Sequence, residues 1–258
     1  MAARKKEVPL AALEEAAGSI SKPRSLIQSL RAARAAGRFG LICEIKRLSP
    51  SAGRLCRDLD VAALAQSYAK GGAACLSVLT DRPYFAGHDD DLGAARAATE
   101  LPVLRKDFIL HPYQITESRA IGADCVLLIL AALEPLEASD LEAQALELGM
   151  DVLLEVHDKA ELGTALSMQS PLIGLNNRNL ATLEVDLAVS HALADLIPSD
   201  RLSVSESGLR GRDDLMALEK SGIGCFLIGE SLLRQHDIKA ATKALWEDAE
   251  HGKTQPPG

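Results

Sequence analysis

The stretch LPVLRKDFILHPYQITESRAIGADCVLLIL, residues 101–130, contains the pattern that decides the fold. Two short apolar runs, 101–108 and 123–130, flank a segment long enough for one helix. The runs are nearly continuous in apolar character, which is typical of parallel strands that are covered on both faces. A strand, a helix and a second parallel strand form one βαβ unit, so this stretch predicts a parallel sheet with helices on its outside.

The same unit recurs along the whole chain. Apolar runs of strand length occur at residues 40–46, 73–80, 101–108, 123–130, 151–156, 171–177, 201–207 and 224–229. Between and after them lie helical patterns, among them 61–72, 141–149, 213–222 and a last helix over 231–249. Eight such units favour closure into an α/β fold of the (β/α)8 TIM barrel type over an open sheet. No GxGxxG sequence follows the first run, as a Rossmann domain would require.

The chain length fits a single barrel. The sequence has 258 residues, and one (β/α)8 domain takes roughly 250. Residues 1–38 predict an N-terminal helical extension that could cap the barrel or cover part of its mouth. Residues 250–258, EHGKTQPPG, are polar and rich in proline, and this composition predicts a disordered tail. We therefore expect one domain over residues 1–258.

Composition excludes several classes of function. The net charge of −8 and the aromatic content of 3% argue against nucleic-acid binding. No apolar run reaches the roughly 18 residues of a transmembrane helix, and no signal peptide is apparent, so we expect no membrane association. Five cysteines without a CxxC spacing indicate neither a disulfide framework nor a zinc site. These features predict a cytoplasmic protein, and local Lys and Arg clusters still allow an anionic small-molecule substrate.

Polar side chains gather where the predicted strands end. In a (β/α)8 barrel the active-site groups come from the carboxyl ends of the strands and the loops that follow. The polar residues at these ends are Glu44, Lys46, 105–107, Glu155, His157, 176–178 and 205–207. Because all these ends face one mouth of the barrel, their convergence predicts a functional site.

Glycine-rich loops follow the last two strands. The sequences are SESGLRG at 205–211 and LIGES at 227–231. Loops at this place in a barrel commonly bind phosphate through backbone N–H groups and a helix N-terminus. Gly208 and Gly229 would let the backbone approach such a group closely.

Eight motifs resemble the indole-3-glycerol phosphate synthase family. They are ICEIKRLSPSAG (42–53), SVLTDRPYFAG (77–87), PVLRKDFILHPYQI (102–115), GADCVLLI (122–129), LLEVHDKAEL (153–162), IGLNNRNL (173–180), SVSESGL (203–209) and LIGESLL (227–233). They run in family order over about residues 22–247. The resemblance implies a (β/α)8 barrel of tryptophan biosynthesis that needs neither a metal nor an organic cofactor. The implied reaction is ring closure, decarboxylation and dehydration of 1-(2-carboxyphenylamino)-1-deoxyribulose 5-phosphate to indole-3-glycerol phosphate.

The resemblance also implies roles for individual residues. Lys106 matches the general acid, Glu155 the second acid–base residue, Glu44 a catalytic carboxylate and Lys46 the mobile-loop lysine that holds the substrate and its phosphate. The remaining matches are Ser49, Asn176, Arg178, Glu206 and Ser207 for substrate binding, Phe85 and Phe108 for the apolar wall around the anthranilate ring, and Gly208, Gly229 and Glu230 for the phosphate.

Three positions depart from the family pattern. Ala52 stands where the family usually has Lys in the first loop, Leu48 replaces a usually small residue, and Asn179 follows the NNR motif where Asp is common. None of the matched catalytic groups is lost through these changes. We expect Ala52 to alter the charge of the loop and hence substrate capture.

The reaction makes demands on the protonation of these groups. A lysine can donate a proton to the ketone oxygen if burial or nearby cations lower its pKa. Two carboxyls in unlike environments can hold different protonation states, one as donor and one as acceptor. We expect His157 to be structural, and Asp107 to form a structural pair with Arg178.

Two other functions remain open from the residues alone. The barrel could be another sugar-phosphate enzyme, such as an aminosugar phosphate isomerase or a Schiff-base aldolase that uses Lys106. It could also bind anionic metabolites or a partner protein without turnover. For the oligomeric state we expect a monomer that can contact other tryptophan-pathway enzymes.

Overall fold

The computed structural model of the chain describes residues 2–50, 53–55 and 59–247. Ala52 and the tail 250–258 lie outside the described residues. Within the described ranges, no helix combines the length and apolar character needed to span a bilayer.

Eight parallel strands close into a barrel in chain order. They are β1 (Gly40–Ile45), β2 (Cys75–Leu79), β3 (Val103–Lys106), β4 (Cys125–Ile129), β5 (Asp151–Val156), β6 (Leu172–Asn176), β7 (Leu202–Glu206) and β8 (Cys225–Ile228). The barrel closes where β8 pairs with β1, with Gly40 opposite Cys225. Each strand lies within one of the eight runs predicted from the sequence, so the (β/α)8 TIM barrel is confirmed.

Helices surround the strands and precede the first one. They are α1 (Ala2–Glu7), α2 (Leu10–Ser19), α3 (Leu26–Ala35), α4 (Val61–Lys70), α5 (Arg82–Phe85), α6 (Asp89–Ala98), α7 (Pro112–Ala120), α8 (Pro135–Glu147), α9 (Lys159–Ser167), α10 (Ala188–Ala194), α11 (Arg212–Glu219), α12 (Glu230–Leu233) and α13 (Ile238–Ala244). A short antiparallel pair, Leu48–Ser49 with Gly53–Arg54, follows β1.

The prediction of one helix over 231–249 is wrong in its continuity. The chain forms α12 and then α13 after a break. The Asp237 side chain starts the second helix, because it accepts a hydrogen bond from the Ala240 backbone N–H at 2.9 Å. Such a carboxylate cap favours a new helix start over a continued helix.

The helix α3 closes the amino-terminal end of the barrel. Its Leu26 and Leu30 are fully buried and pack among the first residues of alternate strands, Cys75, Cys125, Leu172 and Cys225. Asp151 at the start of β5 fixes the entry to the helix, since it accepts from Ser25 Oγ at 3.0 Å and from Ile27 N at 2.9 Å. This part of the N-terminal extension is therefore a cap, and it leaves the opposite end of the barrel open.

Candidate active site

A cavity of about 450 Å³ opens at the carboxyl ends of the strands. The residues matched to the site by the family resemblance all line it: Glu44, Lys46, Ser49, Phe85, Lys106, Phe108, Glu155, Asn176, Arg178, Glu206, Ser207, Gly208, Gly229 and Glu230. The barrel brings them together because each lies at, or just after, the end of a strand or in the short segments that follow. Four other polar residues of the strand ends do not line it: Arg105, His157, Asn177 and Ser205.

Lys106 lies between two buried carboxyl groups. Its Nζ is 3.0 Å from Glu155 Oε2 and 2.9 Å from Glu206 Oε2. The other oxygen of Glu155, Oε1, accepts from Asn176 Nδ2 at 3.0 Å. Strands β3, β5, β6 and β7 each supply one of these groups at their last or next-to-last residue. The ammonium is thus fixed on the inner wall of the barrel at the base of the cavity.

The charge state of Lys106 is set by its carboxyl neighbours. Burial lowers the pKa of Lys106, but the negative charges of Glu155, Glu206 and Glu44 outweigh burial and raise the pKa above its ordinary value. The condition of a lowered pKa is therefore not met, because the neighbours that the barrel supplies are carboxylates rather than cations. Lys106 remains an ammonium, which can donate a proton and is a poor nucleophile.

The two carboxyls beside Lys106 favour different protonation states. Burial raises the pKa of both. For Glu155, the charge of Lys106 and the hydrogen bond from Asn176 outweigh burial, and the net pKa is lowered. For Glu206, burial and the charge of Glu155 prevail over Lys106 and raise the pKa to about 7. The site therefore holds one ionised carboxylate and one carboxyl that can be neutral near pH 7.

A glycine makes room for the second carboxyl. A Cβ atom on Gly174 would lie 2.2 Å from Glu206 Oε1. Any side chain at this position of β6 would therefore displace the Glu206 carboxyl. That same Oε1 is buried and has no hydrogen-bond partner among the described residues. The lack of a partner agrees with the raised pKa of Glu206, since an unpaired buried oxygen disfavours negative charge.

A second lysine–carboxylate pair lies at the end of β1. Lys46 Nζ is 2.6 Å from Glu44 Oε1. The two residues are two positions apart, so they point to the same side of the chain, as the sequence predicts. Glu44 is buried, and its backbone carbonyl accepts from the Tyr68 hydroxyl at 3.0 Å.

The loop after β7 has the backbone geometry of a close-approach site. Ser207 and Gly208 both have positive φ, 67° and 79°. Asn177 Nδ2 stabilises this turn by donating to the carbonyls of Glu206 at 2.9 Å and Ser207 at 3.2 Å. A Cβ on Gly208 would meet Val185 Cγ1 at 2.4 Å. Glycine is therefore required both by the positive φ and by the lack of space for a side chain. The left-handed conformation of Ser207 carried no signal in the sequence.

Aromatic and aliphatic side chains form the other wall of the cavity. Phe85 and Phe108 lie here as predicted, and the rings of Phe108 and Tyr84 meet edge to face with centroids 6.1 Å apart. The sequence analysis did not name Asp81, Tyr84, Leu180 or Leu183, which also line the cavity. Asp81 and Tyr84 lie in the SVLTDRPYF motif. Their closeness in sequence to Phe85 could have identified them as cavity residues.

The expected pair of Asp107 and Arg178 is wrong. Asp107 accepts from Arg105 Nη2 at 3.3 Å, and Arg178 donates to the Leu183 carbonyl at 3.0 Å. Arg105 points away from the cavity and also binds Asp89 and Glu117. The same two carboxylates bind Arg4 of α1 at 2.6 and 2.7 Å. The N-terminal helix is thus linked to the segment that carries Lys106.

His157 lies behind Glu155. Its Nδ1 is 3.0 Å from Glu161 Oε2, and its Nε2 is 3.5 Å from Glu155 Oε1. The backbone N–H of His157 also donates to Glu161 Oε2, at 2.7 Å. These contacts agree with the expected structural role and also bring the imidazole next to the ionised carboxylate of the site.

Comparison with known proteins gives one consistent family. A family model described as indole-3-glycerol phosphate synthase matches residues 1–245. A protein of that name from Azospirillum brasilense is 54% identical over 243 residues, which cover 94% of this chain and 93% of the relative. Another, from Rhodospirillum rubrum, is 51% identical over 246 residues, covering 95% and 94%. At 12% identity, the structure of 3-hexulose-6-phosphate synthase from Salmonella typhimurium shares the fold, with a TM-score of 0.65 over 80% of this chain and 96% of that one.

Proposed function

The chain belongs to the indole-3-glycerol phosphate synthase family, and we propose how its residues divide the reaction of that family among them. The enzyme is a carboxy-lyase of tryptophan biosynthesis. It converts 1-(2-carboxyphenylamino)-1-deoxyribulose 5-phosphate to indole-3-glycerol phosphate, CO2 and water. The observation that carries the proposed roles is the ammonium of Lys106 held between Glu155 and Glu206 at the base of the cavity.

Substrate binding uses the two chemically different sides of the cavity. The phosphate lies against the loops at Gly208 and Gly229, near Ser207 and Glu230, where backbone N–H groups can approach it. Lys46 supplies positive charge. Asn176, Arg178 and Ser49 orient the sugar and the carboxylate, and the anthranilate ring packs between Phe85 and Phe108.

Lys106 is the general acid of ring closure. As the aromatic carbon attacks the ketone carbon, the ketone oxygen gains negative charge, and the ammonium of Lys106 donates a proton to it. Loss of CO2 follows, because the ring is then an iminium that accepts the electron pair. A Schiff-base aldolase would need a neutral Lys106 amine, and the raised pKa of this lysine argues against that alternative.

The carboxyls complete the dehydration. The hydroxyl leaves as water after it receives a proton from Lys106, which has been protonated again after ring closure, and the five-membered ring becomes aromatic as it loses one proton. Ionised Glu155 accepts the proton that the ring loses, while Glu206, with a pKa of about 7, binds the substrate as a hydrogen-bond donor near neutral pH. Glu44 acts through Lys46, whose ammonium it holds at 2.6 Å.

The test is growth of indole fluorescence from the carboxyphenylamino-deoxyribulose phosphate, with wild type, Lys106→Ala and Lys70→Ala compared. Lys70 is an exposed lysine of α4 and serves as the matched control. We expect kcat to fall by about 10³-fold or more for Lys106→Ala, since the variant lacks the general acid, and to be unchanged for Lys70→Ala. Equal turnover by all three proteins would contradict the role of Lys106.

We also propose that the chain acts in the cytoplasm as a monomer with one (β/α)8 domain, and that it can contact other enzymes of its pathway. The buried state of Cys43, Cys75, Cys125 and Cys225 as free thiols supports a reducing compartment. Light scattering during size-exclusion chromatography tests the oligomeric state. A mass near 27.4 kDa is expected, and twice that mass would contradict the monomer.

A further inference from the structure

A chain of three ionisable groups leads from the catalytic carboxylate toward the surface. Glu155 is 3% exposed, His157 is 14% exposed and Glu161 of α9 is 20% exposed. His157 Nε2 faces Glu155 Oε1 at 3.5 Å, and His157 Nδ1 faces Glu161 Oε2 at 3.0 Å. His157 is absent from the described lining of the cavity. The path therefore reaches Glu155 from the side opposite to the substrate.

The reaction consumes one proton in each turnover. Protonation of the ketone oxygen takes one proton and protonation of the departing hydroxyl takes a second. Formation of the aromatic ring returns one, and the substrate carboxylate leaves as neutral CO2. Since the product carries no charge in its place, one proton must come from solvent. In the proposed binding mode the substrate lies in the mouth of the cavity, so a proton from solvent needs a route that avoids the mouth.

We propose that His157 delivers this proton to Glu155, and that Glu161 holds the imidazole in place for the transfer. The inference rests on the proposed roles of Lys106 and Glu155. The Nε2–H bond of the imidazolium breaks and an O–H bond forms on Glu155 Oε1, 3.5 Å away. Rotation of the carboxyl brings this O–H to the position of Oε2, 3.0 Å from Lys106 Nζ, and Nζ takes the proton. Nε2 is buried in this position and has no hydrogen-bond partner within the described chain, so the neutral ring turns toward the surface to take a replacement proton from solvent.

The charges around the path set its direction. Burial lowers the pKa of His157, but the hydrogen bond to Glu161 and the charges of Glu155, Glu161 and Glu206 raise it on balance. Before the reaction, the charge of Lys106 is the main attraction that keeps Glu155 ionised. Once Lys106 has donated its proton, that attraction is gone while Glu44 and Glu206 remain close to the same lysine. Glu155 then becomes a strong acceptor for the proton of His157.

The experiment is chemical rescue of His157→Ala by imidazole. The control is His191→Ala, which removes a partly buried histidine of α10 that contacts Ser221 Oγ at 2.8 Å. We expect His157→Ala to lower kcat by about tenfold or more with KM changed less than about twofold, since proton transfer by a side chain typically supplies at least that much. Added imidazole should restore kcat in proportion to its protonated fraction, and should leave wild type and His191→Ala unchanged.

A purely structural role for His157 would give a different result. Full turnover by His157→Ala, or a loss that imidazole does not reverse, would overturn the proposal. His157→Asn keeps a hydrogen-bond partner for Glu161, so it replaces the alanine variant if that one fails to fold, and it should show the same loss of kcat. Turnover by wild type in the same assay separates this outcome from a failure of the proposed function, in which wild type would be inactive as well.

Discussion

The two ends of the barrel interior differ sharply in chemistry although the same eight strands build both. At the amino-terminal end, Leu26 and Leu30 of α3 pack against Cys75, Cys125 and Cys225. At the carboxyl end, the inward residues include the lysines and carboxyls of the cavity. One end is sealed and apolar, and the other is open and charged.

This difference separates stability from function within one fold. The closed end gains free energy from apolar burial and good packing. The open end buries three carboxyls beside two lysines, Lys46 and Lys106, and burial of charge without complete pairing costs free energy. Glu206 Oε1, buried without a hydrogen-bond partner in the described chain, is the clearest sign of that cost. Substitutions at the two ends should therefore affect different measurements.

The largest effect on stability is expected at the closed end. Leu30→Ala should lower the free energy of unfolding by about 2–5 kcal/mol, because it leaves a cavity under the barrel floor. The packing there is tight, since even a Cβ added to Gly40 would lie 3.0 Å from Leu30 Cδ2. Urea unfolding measures the loss, and kcat at low temperature should stay close to wild type. Leu10→Ala, at a residue that is 46% exposed, is the control. A large drop in kcat for folded Leu30→Ala would contradict the separation of stability and function between the two ends of the barrel.

The next effect is expected at the open end. Gly174→Ala would place a methyl group 2.2 Å from Glu206 Oε1, so the carboxyl must move. We expect kcat to fall by about 10- to 100-fold, since small displacements of catalytic groups have effects of this size. Gly163→Ala is the matched control, because a Cβ there meets nothing within 4 Å. It should keep full activity and stabilise α9 by about 0.5–1 kcal/mol. Equal activity of the two variants would contradict the fixed position of Glu206.

The smallest effect is a pH dependence of stability. In the folded protein the pKa of Glu206 is raised to about 7, above its value in the unfolded chain. Its contribution to the free energy of unfolding is therefore fully present below the unfolded pKa, and it is lost as the pH rises through about 7. Glu206→Gln should remove this decline between about pH 5 and pH 8. Glu155 has a lowered pKa, so its contribution to the free energy of unfolding is lost only as the pH falls. Glu155→Gln should therefore keep the decline in stability with rising pH that Glu206 causes. Urea titrations across this range measure both slopes, and identical slopes for the two variants would show that the carboxyls share one environment.

The sequence predicted the barrel well because its signals are local. Each strand is a short apolar run, and a strand that is buried on both faces needs no long-range information to be recognised. The cavity residues followed from the same pattern, since polar residues at strand ends, such as Glu155, lie around the mouth. The pattern did not show that Arg105 points away from the cavity while its neighbour Lys106 lines it. The cap formed by α3 was only one of two alternatives, because nothing local to residues 26–35 specifies which end of the barrel they cover.

The protonation states could not be predicted in this way. The pKa of Lys106 depends on Glu44, Glu155 and Glu206, which come from three other strands. Their distances from Nζ are set by the closure of the barrel and by Gly174, which admits the Glu206 carboxyl. The positive φ of Ser207 likewise depends on Asn177 of the preceding loop. Such features arise from tertiary contacts rather than from residue pattern.

The most direct test of the central claim is the protonation state of Lys106 in the free enzyme. Nitrogen-15 NMR of the side-chain Nζ, assigned by comparison with Lys106→Ala, reports whether this group is an ammonium. The carboxyl cluster predicts that the ammonium signal of Lys106 persists through about pH 10, close to the ordinary pKa of lysine or beyond it. A transition to the neutral amine below about pH 8 would mean that burial outweighs the carboxylates, and would contradict the account of Lys106 as a proton donor held by Glu155 and Glu206.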